Sequence, residues 1–171
     1  MPRLTSLSLV IAAVLAVTEA SAQQPAVPEQ MPFDVPYGPS ITADRAAQVV
    51  QAVVAEARRP PRNWKLAIAV VDPNGDLVYF YRMDQTQHAS NNIAIGKART
   101  AARFRRPTQA FFDVMQTPAG AYVSTLDPTL VASPGGIPLV EGGRIIGAIG
   151  CSGAMGSQDH VACQAGANTV R

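Results

Sequence analysis

A glycine-rich segment near the end of the chain, residues 133–165, constrains the fold more than any other part of the sequence. It contains two apolar runs joined by the turn sequence Glu141-Gly142-Gly143. Two such runs around a glycine turn predict a β-hairpin. The alanine-rich run that follows predicts a helix starting at Ser157 or Gln158. The segment therefore predicts a hairpin, a tight loop and a helix.

The same segment also indicates a binding site. Gly135 and Gly136 precede the hairpin, and glycine lets backbone N–H groups approach a neighbour closely. Gln158 and Asp159 would lie at the positive end of the last helix, where anions bind. We therefore predict that these four residues form part of the floor of a small-ligand pocket. The alternative is that the acid only stabilises the helix start through the helix dipole, which requires no ligand.

The remaining elements follow from hydrophobic periodicity. In order, the pattern predicts a helix capped by Thr42, strands at 65–71 and 77–83, a helix from Ser90 to Pro107, a short helix capped by Thr108, strands at 137–140 and 144–152, and the last helix. Strands joined by short turns favour an antiparallel sheet covered by helices, so the predicted fold class is α+β. Residues 116–134 form an unusually long loop that either has a function or contains a short strand.

The first 40 residues are predicted to lie outside this domain. Residues 1–22 combine a basic start, a short apolar run and the cleavage signal Ala20-Ser21-Ala22, which together indicate a secretory signal peptide. Residues 23–40 contain five prolines and read as an extended linker or an arm laid along a partner. Residues 41–171 then form one domain. We expect a periplasmic or secreted protein with no membrane insertion after cleavage.

Charge and cysteine content limit the classes of partner. The net charge of +2 gives no reason to expect nucleic-acid binding. Arg103, Arg105 and Arg106 form a local basic cluster, which is either a solvated helix end or an anchor for a ligand carboxylate. Cys151 and Cys163 lie on the last strand and the last helix, so an exported protein could join them by a disulfide. Their small apolar neighbours favour two buried thiols instead.

Six segments resemble the GlcG/HbpS family, also called heme-binding or heme-degrading HbpS-like proteins, and they occur in the same order. They are residues 69–75, Arg82-Met83-Asp84, residues 93–101, residues 135–139, residues 147–150 and Gln158-Asp159. The chain is identified as a member of this family. The resemblance implies a profilin-like fold, with a central antiparallel sheet and flanking helices, and homo-oligomer formation. It also implies heme as a possible cofactor, because some secreted members bind it.

The resemblance places Arg82, Asp84, Lys97 and the Gly135-Gly136 loop around one pocket. A cation close to backbone N–H donors suits a carboxylate, and Asp84 could act as a base there. The alternative is a structural salt bridge from Asp84 to Lys97 or Arg82.

Heme binding would need an axial ligand, and His88 and His160 are the two histidines of the chain. Each also has an ordinary interpretation, His88 as a solvated loop residue and His160 as a surface or capping group. Ile137 stands where heme-binding relatives can have a hydroxyl residue, which argues against an iron contact from that position.

Three functions remain open at this point. The leading hypothesis is a periplasmic protein that binds or sequesters heme or a related small ligand. The second is a cofactor-independent lyase or isomerase that acts on a small oxygenated acid or alcohol-derived substrate, with Asp84 and Lys97 as candidate catalytic residues. The third is an accessory subunit of a secreted dehydrogenase, docked through residues 23–40.

Overall fold

A four-stranded antiparallel sheet organises the computed structural model, which describes residues 28–170. The elements are α1 (Ala43–Arg58), β1 (Ala67–Val71), β2 (Leu77–Arg82), α2 (Ser90–Phe104), α3 (Thr108–Met115), a 3₁₀ helix (Pro118–Thr125), β3 (Gly136–Glu141), β4 (Arg144–Ser152) and α4 (Gly156–Ala167). All of them belong to the compact unit Pro32–Arg171. The predicted α+β class is confirmed. The predicted signal peptide lies outside the described residues.

The strand order is β2-β1-β4-β3, so the two hairpins meet through their inner strands, β1 and β4. Side chains of β1 alternate between the two faces of the sheet. Ile68 and Val70 point into the larger core, which α1 and α4 cover. Ala67 and Ala69 point into a second, alanine-rich core under α2. Because both the strand and the helix present small side chains on that face, α2 lies close to the sheet.

Two of the predicted caps have different outcomes. The Thr42 cap is confirmed, because its hydroxyl accepts a hydrogen bond from the Arg45 N–H at 3.3 Å. The Thr108 cap is wrong. Its hydroxyl donates to the Ser133 carbonyl at 2.6 Å and accepts from the Gly136 N–H at 2.9 Å. This side chain therefore ties the start of α3 to the start of β3.

The predicted start of the last helix and the predicted content of the long loop also need correction. α4 begins at Gly156, because the Gln158 side chain accepts a hydrogen bond from the Met155 N–H and so closes the first turn. The long loop contains the 3₁₀ helix rather than a strand.

No helix within residues 28–170 is long and apolar enough to cross a membrane.

Part of the proline-rich arm packs on the domain itself. Tyr37 forms a parallel bridge with Ile145 of β4, beyond the point where β1 ends. The backbone of Ile145 donates to Pro36 and accepts from Gly38, both at 2.8 Å. The Tyr37 hydroxyl donates to the carbonyl of Ala102 in α2. Residues 36–38 thus contact their own sheet, and docking of the arm on a partner stays a prediction.

Candidate functional site

Four of the predicted site residues come together where α2, α4 and the start of β3 meet. Lys97 projects from α2, and its Nζ donates to Asp159 Oδ2 at 2.8 Å and to the Cys151 carbonyl at 3.0 Å. The second carboxylate oxygen of Asp159 accepts from the Ala154 N–H at 3.0 Å. Lys97 is only 1% exposed and Asp159 only 2%. This is a buried ion pair with both partners hydrogen-bonded.

Burial dominates the electrostatics of this pair. Loss of water raises the pKa of the Asp159 carboxyl and lowers the pKa of the Lys97 ammonium, because each charged form is less well solvated inside the protein. Their mutual attraction opposes both shifts without cancelling them. Each charge is therefore tolerated only because the other is present.

Gly135 and Gly136 border this ion pair, but they make room for the protein itself. A Cβ atom at Gly135 would lie 2.9 Å from both the Asp159 Cβ and the Cys151 carbonyl, and its φ of +116° is unfavourable for other residues. A Cβ at Gly136 would overlap the Lys97 carbonyl. The close approach predicted from these glycines is therefore made by α2 and α4, which pack against the start of β3. Ligand binding by either glycine stays a prediction.

Arg82 and Asp84 lie elsewhere. Arg82 ends the edge strand β2, whereas Gly136 begins β3 at the opposite edge of the sheet, three strand spacings or about 14 Å away. Asp84 is exposed and forms no ion pair within residues 28–170. The predicted salt bridge from Asp84 to Lys97 is wrong, because Lys97 pairs with Asp159. One chain therefore does not bring Arg82 and Lys97 to a common pocket.

Arg82 instead contacts His88. The guanidinium Nη1 lies 3.5 Å from the imidazole Nδ1, and both side chains are exposed. Phe80 lies two residues before Arg82 in β2, so it shares the same face of the sheet. Phe80 is half-buried and, like Ile95 of α2, packs against the alanine-rich core. We call these four residues, Phe80, Arg82, His88 and Ile95, the edge cluster.

The other two predicted site residues lie on α4. The side chain of Gln158 caps its own helix, as described above. His160 is half-buried, and its Nδ1 is inaccessible to solvent without a hydrogen-bond partner in the described part of the chain. Its role as an iron ligand stays a prediction.

Comparison with known proteins agrees with this architecture. Residues 41–168 match the family described as haem degrading protein HbpS-like. The chain belongs to the HbpS-like family. Protein GlcG of Escherichia coli strain K12 is 36% identical over 112 residues, which are 66% of this chain and 81% of GlcG.

Two solved structures extend the comparison. A PduOC:heme complex is 25% identical with a TM-score of 0.69, and the match covers 77% of this chain and 96% of that one. HbpS is 25% identical with a TM-score of 0.70, and the match covers 83% and 98% of the two chains. The HbpS-like fold therefore accounts for most of the chain.

A disulfide joins β4 to α4 in this HbpS-like domain. Cys151 and Cys163 are bonded, with their Cα atoms 5.8 Å apart. The preference for two buried thiols is wrong, because the small neighbours that suggested it also let the strand and the helix approach closely. Cys163 lies one helical turn after Asp159, and Cys151 supplies a carbonyl to Lys97. The disulfide thus holds α4 beside the buried ion pair.

Removal of this disulfide tests that role. The cysteines are only 12 residues apart, so Cys151→Ala/Cys163→Ala should lower the free energy of unfolding by about 2 to 3 kcal/mol. The substitution keeps the backbone carbonyl that Lys97 uses. Urea unfolding of the variant and of the reduced wild type should give the same midpoint. A midpoint equal to that of the oxidised wild type would show that the bond does not stabilise the fold.

Sequence analysis missed the pairing of Lys97 with Asp159, although one signal was present. Lys97 lies three residues after Ala94 and four before Ala101, so it belongs to the buried alanine face of α2. A lysine on a buried face requires an acidic partner. The family resemblance instead suggested a pocket that Lys97 shares with Arg82 and Asp84.

Proposed function

We propose that this HbpS-like protein binds heme. The observation that carries the proposal is that a relative with the same fold, 25% identical, is known as a PduOC:heme complex. The family description, haem degrading protein HbpS-like, supports the same ligand. Heme would supply a redox-active iron.

The edge cluster fits such a ligand by its chemistry. Heme requires an apolar surface for its ring, a cation for its propionates and an axial donor for its iron. Phe80 and Ile95 offer half-buried apolar surface, Arg82 offers an exposed cation, and His88 offers an exposed imidazole. Phe80 and Arg82 lie on β2, Ile95 lies on α2, and His88 lies in the loop between these two elements. We therefore assign heme to the edge cluster.

The contact between Arg82 and His88 indicates what each side chain would do when heme binds. A guanidinium has no acceptor, so Nδ1 of His88 is the only possible acceptor in this contact. An imidazole ligates a metal through an unprotonated nitrogen. In the heme-bound protein, His88 would hold the iron through a ring nitrogen and Arg82 would hold an anionic group of the ligand.

Hemin titration of the mature protein tests the assignment. We expect a saturable Soret band that is lost in His88→Ala, because the axial donor is removed. Arg82→Ala should keep the band and weaken binding by about tenfold, the effect of one charge-assisted hydrogen bond. The matched control is His160→Ala, which should bind as the wild type does.

Three outcomes would contradict the assignment. Absence of a spectral change at micromolar hemin would reject heme as the ligand. Equal spectra for the wild type and His88→Ala would reject the edge cluster. Loss of the band in His160→Ala alone would move the ligand to α4.

We also propose that the protein is exported and forms homo-oligomers. The predicted signal peptide and the Cys151–Cys163 disulfide support export, because such bonds persist in oxidising compartments. The position of β2 at the edge of the described sheet supports pairing with another copy. Cell fractionation and native mass spectrometry test the two proposals, and a reduced cytoplasmic monomer would overturn both.

The enzymatic alternative gains no support at Lys97. Its ammonium is 1% exposed and already bound by Asp159 and the Cys151 carbonyl, so it is not placed to contact a substrate. Asp84 is exposed and stays a candidate only by prediction.

A further inference from the structure

A ligand-sized cavity lies away from the edge cluster, between α3, the 3₁₀ helix and Phe33 of the arm. Its volume is about 580 Å³, within the range of small-molecule sites. Phe104 and Phe111 both line it, and their rings stack edge to face with centroids 5.0 Å apart. Tyr122 and Leu126 add apolar surface from the 3₁₀ helix and the residue after it. The cavity is thus mainly aromatic and apolar.

One cation enters this cavity, from the basic cluster at the end of α2. Arg103 lies 3.0 Å from Asp127, and Arg105 lies 3.4 Å from Asp34. Arg106 differs from them, because within residues 28–170 it has no carboxylate within 4.0 Å. Its Nε donates to the Phe104 carbonyl at 3.1 Å, which leaves the two terminal nitrogens available.

Aromatic rings hold this guanidinium in place. Its central carbon lies 4.4 Å from the ring centroid of Phe33 and 5.5 Å from that of Phe111. Such stacking orients the planar group and leaves its edge free to bind a carboxylate with two hydrogen bonds. Phe33 reaches this position with a φ of +62°, a conformation rare for bulky residues and known from ligand-binding sites. The arm therefore supplies one wall of the cavity.

We propose that this cavity binds a small monocarboxylate with a flat, apolar body. The body would lie against Phe104 and Phe111, and the carboxylate would bind Arg106. Asp113 also lines the cavity and accepts a hydrogen bond from Gln109 at 2.7 Å. A second negative charge on the ligand would face this carboxylate, so the site disfavours dianions such as heme. This inference is independent of heme binding at the edge cluster.

Calorimetric titration with naphthoate tests the proposal. We expect saturable binding to the wild type, at least about tenfold weaker binding to Arg106→Gln, and similarly weak binding of the uncharged naphthamide to the wild type. The matched control is Arg58→Gln, since Arg58 is an exposed arginine at the end of α1. It should bind naphthoate as the wild type does.

A second variant covers the case in which Arg106→Gln does not fold. Ala110 lines the cavity, and Ala110→Phe should block binding while Arg106 is kept. Absence of saturable binding to the wild type would overturn the proposal, as would wild-type affinity for naphthoate in both cavity variants. Saturation with hemin should leave naphthoate binding unchanged. Displacement of naphthoate by hemin that depends on Arg106 would make this cavity the heme site and overturn the separate assignment.

Discussion

Replacement of Asp159 by asparagine is expected to lower the free energy of unfolding by about 3 to 5 kcal/mol at neutral pH. The substitution removes the charge that Lys97 faces, while the ammonium stays 1% exposed. A buried charge without its partner keeps its desolvation cost and loses the attraction that offsets it. Urea unfolding followed by circular dichroism measures the loss.

The double variant Lys97→Met/Asp159→Leu should recover most of this loss. It removes both charges, and the remaining cost is that the Cys151 carbonyl loses a donor and the Ala154 N–H loses an acceptor. The control is Glu141→Gln, which breaks an exposed pair with Arg45 at 4.0 Å and should change stability by less than about 0.5 kcal/mol. Equal stability of Asp159→Asn and the wild type would show that the pair is not buried as described.

The loss of unfolding free energy caused by Asp159→Asn should change with pH in one direction. Burial lowers the pKa of Lys97, so its neutral form is favoured in the folded state and its contribution to stability grows as the pH rises towards its ordinary pKa. Without Asp159 this pKa falls further, because the attraction that raises it is lost. The defect should therefore shrink as the pH increases from about 7 to about 10. A defect that grows over this range would contradict the assignment.

Replacement of Gly150 by alanine is expected to cost about 3 kcal/mol or more, or to prevent folding. Gly150 lies in the middle of β4, opposite Ala69 of β1 and Gly136 of β3. A Cβ there would overlap the Ala94 carbonyl and lie 2.5 Å from the Ala98 backbone nitrogen. Backbone atoms cannot rotate away as a side chain can, so all of α2 would have to move.

Gly142→Ala is the matched control for this substitution. Unlike Gly150, it has a φ of +54° that favours glycine, and no atom of residues 28–170 lies within 4 Å of its would-be Cβ. It should therefore cost only about 1 kcal/mol. Thermal unfolding of both variants distinguishes backbone strain, which Gly142→Ala introduces, from steric overlap with α2, which Gly150→Ala introduces. A Gly150→Ala protein no less stable than Gly142→Ala would show that α2 does not lie on β4 as described.

Local features of the fold were predictable from the sequence. The Glu141-Gly142-Gly143 turn, the Thr42 cap and the alanine face of α2 each depend on neighbouring residues alone. The two hairpins and the α+β class followed from these patterns. The Thr108 cap failed because its hydroxyl bonds to Ser133 and Gly136, which are distant in sequence.

The candidate site was less predictable because it depends on strand order. The family resemblance placed Arg82 near the Gly135-Gly136 loop, but β1 and β4 lie between these two edges of the sheet. Lys97 and Asp159 are 62 residues apart, so no local pattern pairs them. The disulfide likewise depends on how closely α4 approaches β4. Each of these features is set by packing between elements.

Hydrogen exchange of the mature protein with and without hemin tests the heme-binding proposal most directly. We expect hemin to slow exchange in residues 78–95, which contain the edge cluster, and to leave exchange in residues 133–159 unchanged. This readout locates the ligand without any substitution that could disturb the fold. Protection confined to residues 133–159 would contradict the account and place the ligand at the glycine loop.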